Sequence, residues 1–163
     1  MKIKGRIWCY GDNINTDFML PGKYLELTDP RELAKHAMEG IDPAFAKKVQ
    51  KGDIVVGGKN MGLGSSREHA PLALKHSGVD AVVAESFARI FYRNAFNVGL
   101  AAIECSGISK KAKTGDEIEI DTASGTIMVN GEKLRIKTFP DFMVQLLNEG
   151  GLVPYLKNHM EEW

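Results

Sequence analysis

At 163 residues the chain suits one domain, and a domain of that length buries about 70% of its unfolded surface, so it needs no metal or disulfide staple. Lys plus Arg and Asp plus Glu each number 21, and this zero balance argues against a nucleic-acid or membrane-surface partner. The two cysteines, Cys9 and Cys105, have no metal-ligand spacing and read as reduced thiols; with no apolar leader and no run approaching a membrane span, a cytoplasmic protein is expected.

Residues 3–9 alternate as a strand and lead into a turn-rich stretch, 11–17. Thr28 or Asp29 is placed to cap a helix with Pro30 at its first position and Gly40 just past its end. A second short helix is expected over 43–50. Ile54, Val55 and Val56 form a short buried strand that runs into Gly57 and Gly58. A glycine-rich segment, 57–66, precedes a helix ending near Gly78. Residues 81–84 are another apolar strand. A helix over 86–98 follows, with Phe87, Ile90, Phe91, Ala95 and Val98 on one face and Arg89 and Arg93 on another. Residues 100–104 are a strand. This order, β–loop–α–β–α–β, favours a parallel sheet. The C-terminal part changes character: 117–121 alternates, 126–129 continues, Asn130-Gly131 signals a hairpin and 134–136 follows, giving an antiparallel meander. Short helices are expected over 141–149 and 152–158. The chain reads as one mixed α/β domain over 1–163.

The densest cluster of unusual residues is Gly57-Gly58-Lys59-Asn60-Met61-Gly62-Leu63-Gly64-Ser65-Ser66-Arg67-Glu68-His69. Its glycines let the backbone approach a ligand closely, and a strand enters while a helix leaves, which places a helix N-terminus where anions bind in α/β folds. Ser65 and Glu68 have capping-box spacing, although Pro71 requires the helix to start a residue or two later than Ser65. The segment lacks the third glycine of a dinucleotide fingerprint, the Gly-Lys-Ser/Thr of a P-loop and the second glycine of a nucleophile elbow. An anion site with Arg67 as ion partner remains, since Arg grips a carboxylate through two parallel N–H bonds. A tight turn without chemistry is the competing reading.

Gly64-Ser65-Ser66-Arg67-Glu68-His69-Ala70 resembles the serine motif of the mobile C-terminal domain of the aconitase superfamily. Residues 11–17 resemble that family's N-terminal signature, and 85–94 resemble its second helix. The likeness is closest to the separate small subunits of the isopropylmalate isomerase and homoaconitase branch. It implies a swivelling domain, a mixed, partly open sheet or barrel with flanking helices in β/β/α layers. It also implies a hydro-lyase whose substrate is a small dicarboxylic acid. By the same resemblance the [4Fe–4S] cluster sits on a large partner subunit, in a heterodimer or heterotetramer, and this chain binds no metal or cofactor. Ser65 carries over as the catalytic base, helped by Arg67, the helix that follows and the amides of glycines 57, 58, 62 and 64. Ser66, Arg67 and Gly64 carry over as substrate-binding residues. Thr16 and Asp17 orient the loop that follows them, and His69 is read as a packed or capping residue. The specificity loop corresponds to Tyr24, Leu25, Glu26 and Leu27. Glu26 disfavours a third substrate carboxylate and the leucines suit a branched alkyl group, so isopropylmalate is expected, with homoaconitate or methylated malates as alternatives. A stand-alone carboxylate- or phosphate-binding module is the expectation of another class.

Overall fold

The computed structural model describes residues 1–64 and 67–162. Among these described residues, seven strands form one curled sheet in the order β4-β3-β2-β1-β5-β6-β7. β1 (Lys2–Cys9), β2 (Ile54–Gly57), β3 (Ala81–Ala84) and β4 (Ala101–Glu104) run parallel. β5 (Glu117–Asp121), β6 (Thr126–Val129) and β7 (Glu132–Arg135) add the antiparallel meander along the other edge of β1. β1 therefore belongs to both halves: Ile7 pairs with Ile54 on one side, and Ile3 with Ile120 on the other.

The short apolar runs owe their continuity to burial on both faces. Val55, Val82 and Ala102 join one cluster under the helices. Ile54, Val56, Val83 and Ile103 join a second, inside the curl, where they meet Ile118, Ile120, Ile127 and Val129 from the meander. The sheet is thus a half-barrel with helices outside its parallel half, as the β/β/α layering requires.

Helices α1 (Thr16–Met19), α2 (Pro30–Ala34) and α3 (Phe45–Lys48) lie between β1 and β2; α4 (His69–His76) joins β2 to β3, and α5 (Arg89–Asn97) joins β3 to β4. α6 (Ile108–Lys111) follows β4, and α7 (Asp141–Glu149) and α8 (Leu152–Asn158) close the chain. Asp29 caps α2 by accepting the Arg31 amide at 2.9 Å.

Several expectations need correction. The helix expected to reach Gly40 ends at Ala34 and continues as turns, because the Met38 and Gly40 amides donate instead to the carbonyls of Met19 and Phe18. Met38 takes a φ of 60°, which no α-helix accommodates. The helix after the glycine segment begins at His69, with Glu68 in its N-cap position and no side-chain cap there; Ser65, the other half of the expected capping box, lies outside the described residues. Pro71 falls third in that helix, where its missing N–H costs nothing. α5 begins at Arg89 because 86–88 run beside Met61: the Met61 amide donates to the Ser86 carbonyl at 3.0 Å and the Ala88 amide to the Met61 carbonyl at 2.9 Å. Its buried face is Phe91, Ala95 and Phe96, while Ile90 is 48% exposed beside Arg89 and Arg93. The last strand lies two residues earlier than expected, with Val129 paired to Glu132 across the Asn130-Gly131 turn.

Candidate functional site

Three stretches distant in sequence converge where β1, β2 and β3 end. The loop after β2 is threaded between the turn after β1 and the turn after β3. On one side the Gly58 amide donates to the Gly11 carbonyl at 3.0 Å, Asn13 to Lys59 at 2.8 Å, Gly62 to Ile14 at 2.7 Å and Thr16 to Leu63 at 2.9 Å. Asp12 fixes this join by accepting the Lys59 amide at 2.7 Å. The Asn60 side chain donates to the Asn13 side-chain oxygen at 3.1 Å; both asparagines sit in the left-handed region, near φ 58°, which asparagine tolerates better than most residues. On the other side the Asn60 amide donates to the Ser86 hydroxyl at 2.9 Å and the Glu85 amide to the Gly58 carbonyl at 3.1 Å.

This threading explains two glycines. At Gly62, with φ 86°, a Cβ would come closer than 3.0 Å to three carbons of Phe91; at Gly58 it would collide with the Asp12 carboxylate. It also corrects the expected role of their amides. The Gly58 and Gly62 N–H groups are spent on carbonyls of 11–14 and build the loop instead of facing a ligand.

Beyond that point the loop is exposed at Gly64, where φ is 109°. Ser65 and Ser66 lie outside the described residues. Arg67 is exposed and opens a small pocket. The turn after β1 contributes Thr16, Asp17 and Leu20; the start of α4 contributes His69 and Ala70; Leu25 closes one side. Thr16 and Asp17 thus stand across from Arg67 at the entrance of α4. The positive end of that helix adds to the Arg67 charge, an arrangement suited to a carboxylate. His69 does not cap the helix. Its Nδ1 is buried in the wall, with no hydrogen-bond partner among the described residues.

The four residues of the expected specificity loop part company. Gly22–Tyr24 form a 3-10 turn, and the Tyr24 ring stacks on His36 at 3.7 Å between centroids. The Tyr24 hydroxyl donates to Glu39 at 2.6 Å, which holds the Glu39 carboxyl below the usual carboxylate range and pushes the phenol up. Tyr24 and Leu27 pack against the helical core, and Glu26 is exposed. Leu25 alone of the four reaches the pocket that holds Arg67. Sequence reasoning missed Leu20, whose four-residue spacing from Thr16 is the signal that could have found it, and the place of His69 in the pocket wall.

A family model described as the aconitase C-terminal domain matches residues 12–107, which span all three converging stretches. The chain belongs to that family. It is 57% identical to the isopropylmalate/citramalate isomerase small subunit of Methanocaldococcus jannaschii over 162 residues, 98% of this chain and 96% of the relative. It is 51% identical to the 3-isopropylmalate dehydratase small subunit of Thermodesulfovibrio yellowstonii, again covering 98% of this chain and 96% of the relative. The crystal structure of 3-isopropylmalate dehydratase from Methanocaldococcus jannaschii superposes with a TM-score of 0.92 at 47% identity, covering 99% of this chain and 96% of that one. Aconitase X from Thermococcus kodakaraensis, at 17% identity, shares the fold with a TM-score of 0.52 over 83% of this chain and 90% of its own.

Proposed function

We propose that this chain is the small subunit of a two-chain hydro-lyase that interconverts 2-isopropylmalate and 3-isopropylmalate in leucine biosynthesis. It acts in the cytoplasm, with residues 1–163 moving as one swivelling unit. The observation that carries the reading is the pocket itself: Arg67, at the exit of the serine motif, faces Leu25 and the Thr16–Asp17 turn in one concavity. The concavity itself is only about 20 Å³, so a substrate would lie over its mouth, where a cation beside apolar side chains suits a carboxylate next to a branched alkyl group.

In this reading Arg67 grips one substrate carboxylate with two parallel N–H bonds. Gly64 and Ser66 supply further donors to the same end. Ser65 removes the proton from carbon. A serine hydroxyl is a poor base unless its site favours the anion, and Arg67 with the N-terminal end of α4 supplies that bias. The proton leaves as the neighbouring carbon loses its hydroxyl; water is released, and its return to the other carbon completes the isomerisation. Leu25 covers the alkyl group, Tyr24 and Leu27 hold the loop in place, and Glu26 lies exposed outside the pocket.

The residues of this chain do not suit a cysteine-ligated cluster, since the sequence has two cysteines and, among the described residues, no group of three or more His, Cys, Asp or Glu is placed to hold a metal. By the resemblance to its family, the cluster belongs to a large partner subunit, in a heterodimer or heterotetramer with the active site completed between the two chains, where a [4Fe–4S] group would polarise the substrate hydroxyl. Citramalate is a second substrate candidate, since the apolar side of the pocket, Leu20 and Leu25, can cover a methyl group as well. The test is a comparison of specificity constants for 3-isopropylmalate, citramalate and homoaconitate in enzyme reconstituted with a cluster-bearing large subunit. Preference for either malate is expected; preference for the tricarboxylate would overturn the substrate assignment.

A further inference from the structure

Among the described residues the half-barrel does not close, and β4 and β7 end the sheet. Between them lies a cleft of about 750 Å³, separate from the Arg67 pocket and within the roughly 300–1,000 Å³ of small-molecule sites. Its two walls differ in charge. The β4 side carries Glu104 and the Tyr92 hydroxyl; the side formed by the end of β7 and the segment after it carries Arg135 and Lys137. Among the described residues these three charged side chains have no hydrogen bond or ion pair, although all line one cleft. Glu85, also in the wall, is already committed to the amides of Gly107 and Ser109. The floor is apolar: Ile103 is buried, and Phe139 is fixed edge-on against Phe96 at 5.1 Å, next to Met143.

We propose that this cleft binds a free α-amino acid with an apolar side chain, its ammonium at Glu104, its carboxylate at Arg135 and Lys137, and its side chain on Ile103, Phe139 and Met143. The match rests on three features in one place: an unpaired carboxylate, two unpaired cations on the facing wall, and an apolar surface between them. A zwitterion satisfies both walls at once, which a malate-type dianion cannot do beside Glu104. Burial, followed by the Glu104 charge, pushes the Tyr92 phenol up, and its hydroxyl is a donor available to the ligand.

The test is an amide NMR titration of the full chain with leucine and phenylalanine. Saturable shifts are expected at 103–106 and 135–143, leaving the Arg67 pocket unmoved. Isopentylamine and 4-methylpentanoate, which each keep one charge, should bind about tenfold more weakly or worse. Glu104→Gln and the double variant Arg135→Gln/Lys137→Gln alter exposed residues and should fold, yet each should weaken leucine binding by at least about tenfold. Absence of saturable shifts with either amino acid would overturn the proposal. So would equal binding of the carboxylate-only ligand, which would make the cleft a simple anion site, or variants that bind leucine as the parent does.

Discussion

Replacing Gly62 with alanine tests whether the glycine loop is seated as described. Two costs apply. An alanine at φ 86° costs about 1–2 kcal/mol, because an L side chain crowds its own carbonyl there. The added methyl also meets three carbons of Phe91, a fully buried ring that stacks on Phe87 at 6.0 Å and has little room to turn away. Overpacking of that kind costs a further 1–3 kcal/mol or so. Gly115→Ala separates the two terms: its φ is 96°, but no atom lies within 4 Å of the new Cβ, so only the backbone cost applies. At about 2–4 °C per kcal/mol for a chain of this size, thermal unfolding should place the Tm of Gly62→Ala roughly 2–12 °C below that of Gly115→Ala. Turnover of the reconstituted enzyme should also fall in Gly62→Ala alone, since Gly62 leads directly to the serine motif. Equal Tm values for the two variants would refute the seating of the loop against Phe91.

Other outcomes follow from the same geometry. Arg67→Lys should raise KM for isopropylmalate, because a lysine cannot reproduce the two-bond grip; unchanged steady-state kinetics would remove Arg67 from the carboxylate site. Leu25→Arg should shift specificity toward homoaconitate more than Glu26→Arg does, since Leu25 lines the pocket and Glu26 is exposed; the reverse order in measured specificity constants would mean that the loop turns over on closure. Burial, and then Glu85, pushes the Cys105 thiol from 9.0 up to about 11, so below pH 9 iodoacetamide should alkylate it about a hundredfold more slowly in the folded chain than in the unfolded one. The raised value favours the protonated thiol in the folded state. Its contribution to stability is thus complete below pH 9 and is lost as pH rises toward 11, which chemical denaturation across that range can follow.

The parallel half of the fold was legible because strands buried on both faces are written as unbroken apolar runs, as in Val55-Val56 and Val82-Val83. The meander was legible through the alternation of 117–121 and the Asn130-Gly131 turn. What escaped was set by tertiary hydrogen bonds that a sequence does not announce. α5 starts later than its apolar pattern suggests because 86–88 are drawn into contact with Met61, and α2 is shorter than its pattern because Met38 and Gly40 bond to residues 18 and 19. α6 is a single turn entered through Gly107 at φ 89°, too short to show any periodicity. At the site, the three motif segments could be named from the sequence, but their convergence depends on strand register. That register decides that the Gly58 and Gly62 amides are consumed, that Leu25 faces Arg67 and that Glu26 does not.

In the proposed function this chain completes an isomerase active site and supplies its base. The direct measurement is turnover of 3-isopropylmalate by a cluster-bearing large subunit alone, with this chain added, and with its Ser65→Ala variant added. Full turnover is expected only with the parent chain, and the variant should fall by about 10²–10⁴-fold, the usual worth of a positioned proton-transfer group. Turnover by the large subunit alone, or a Ser65→Ala variant that retained more than a tenth of parental turnover, would contradict it.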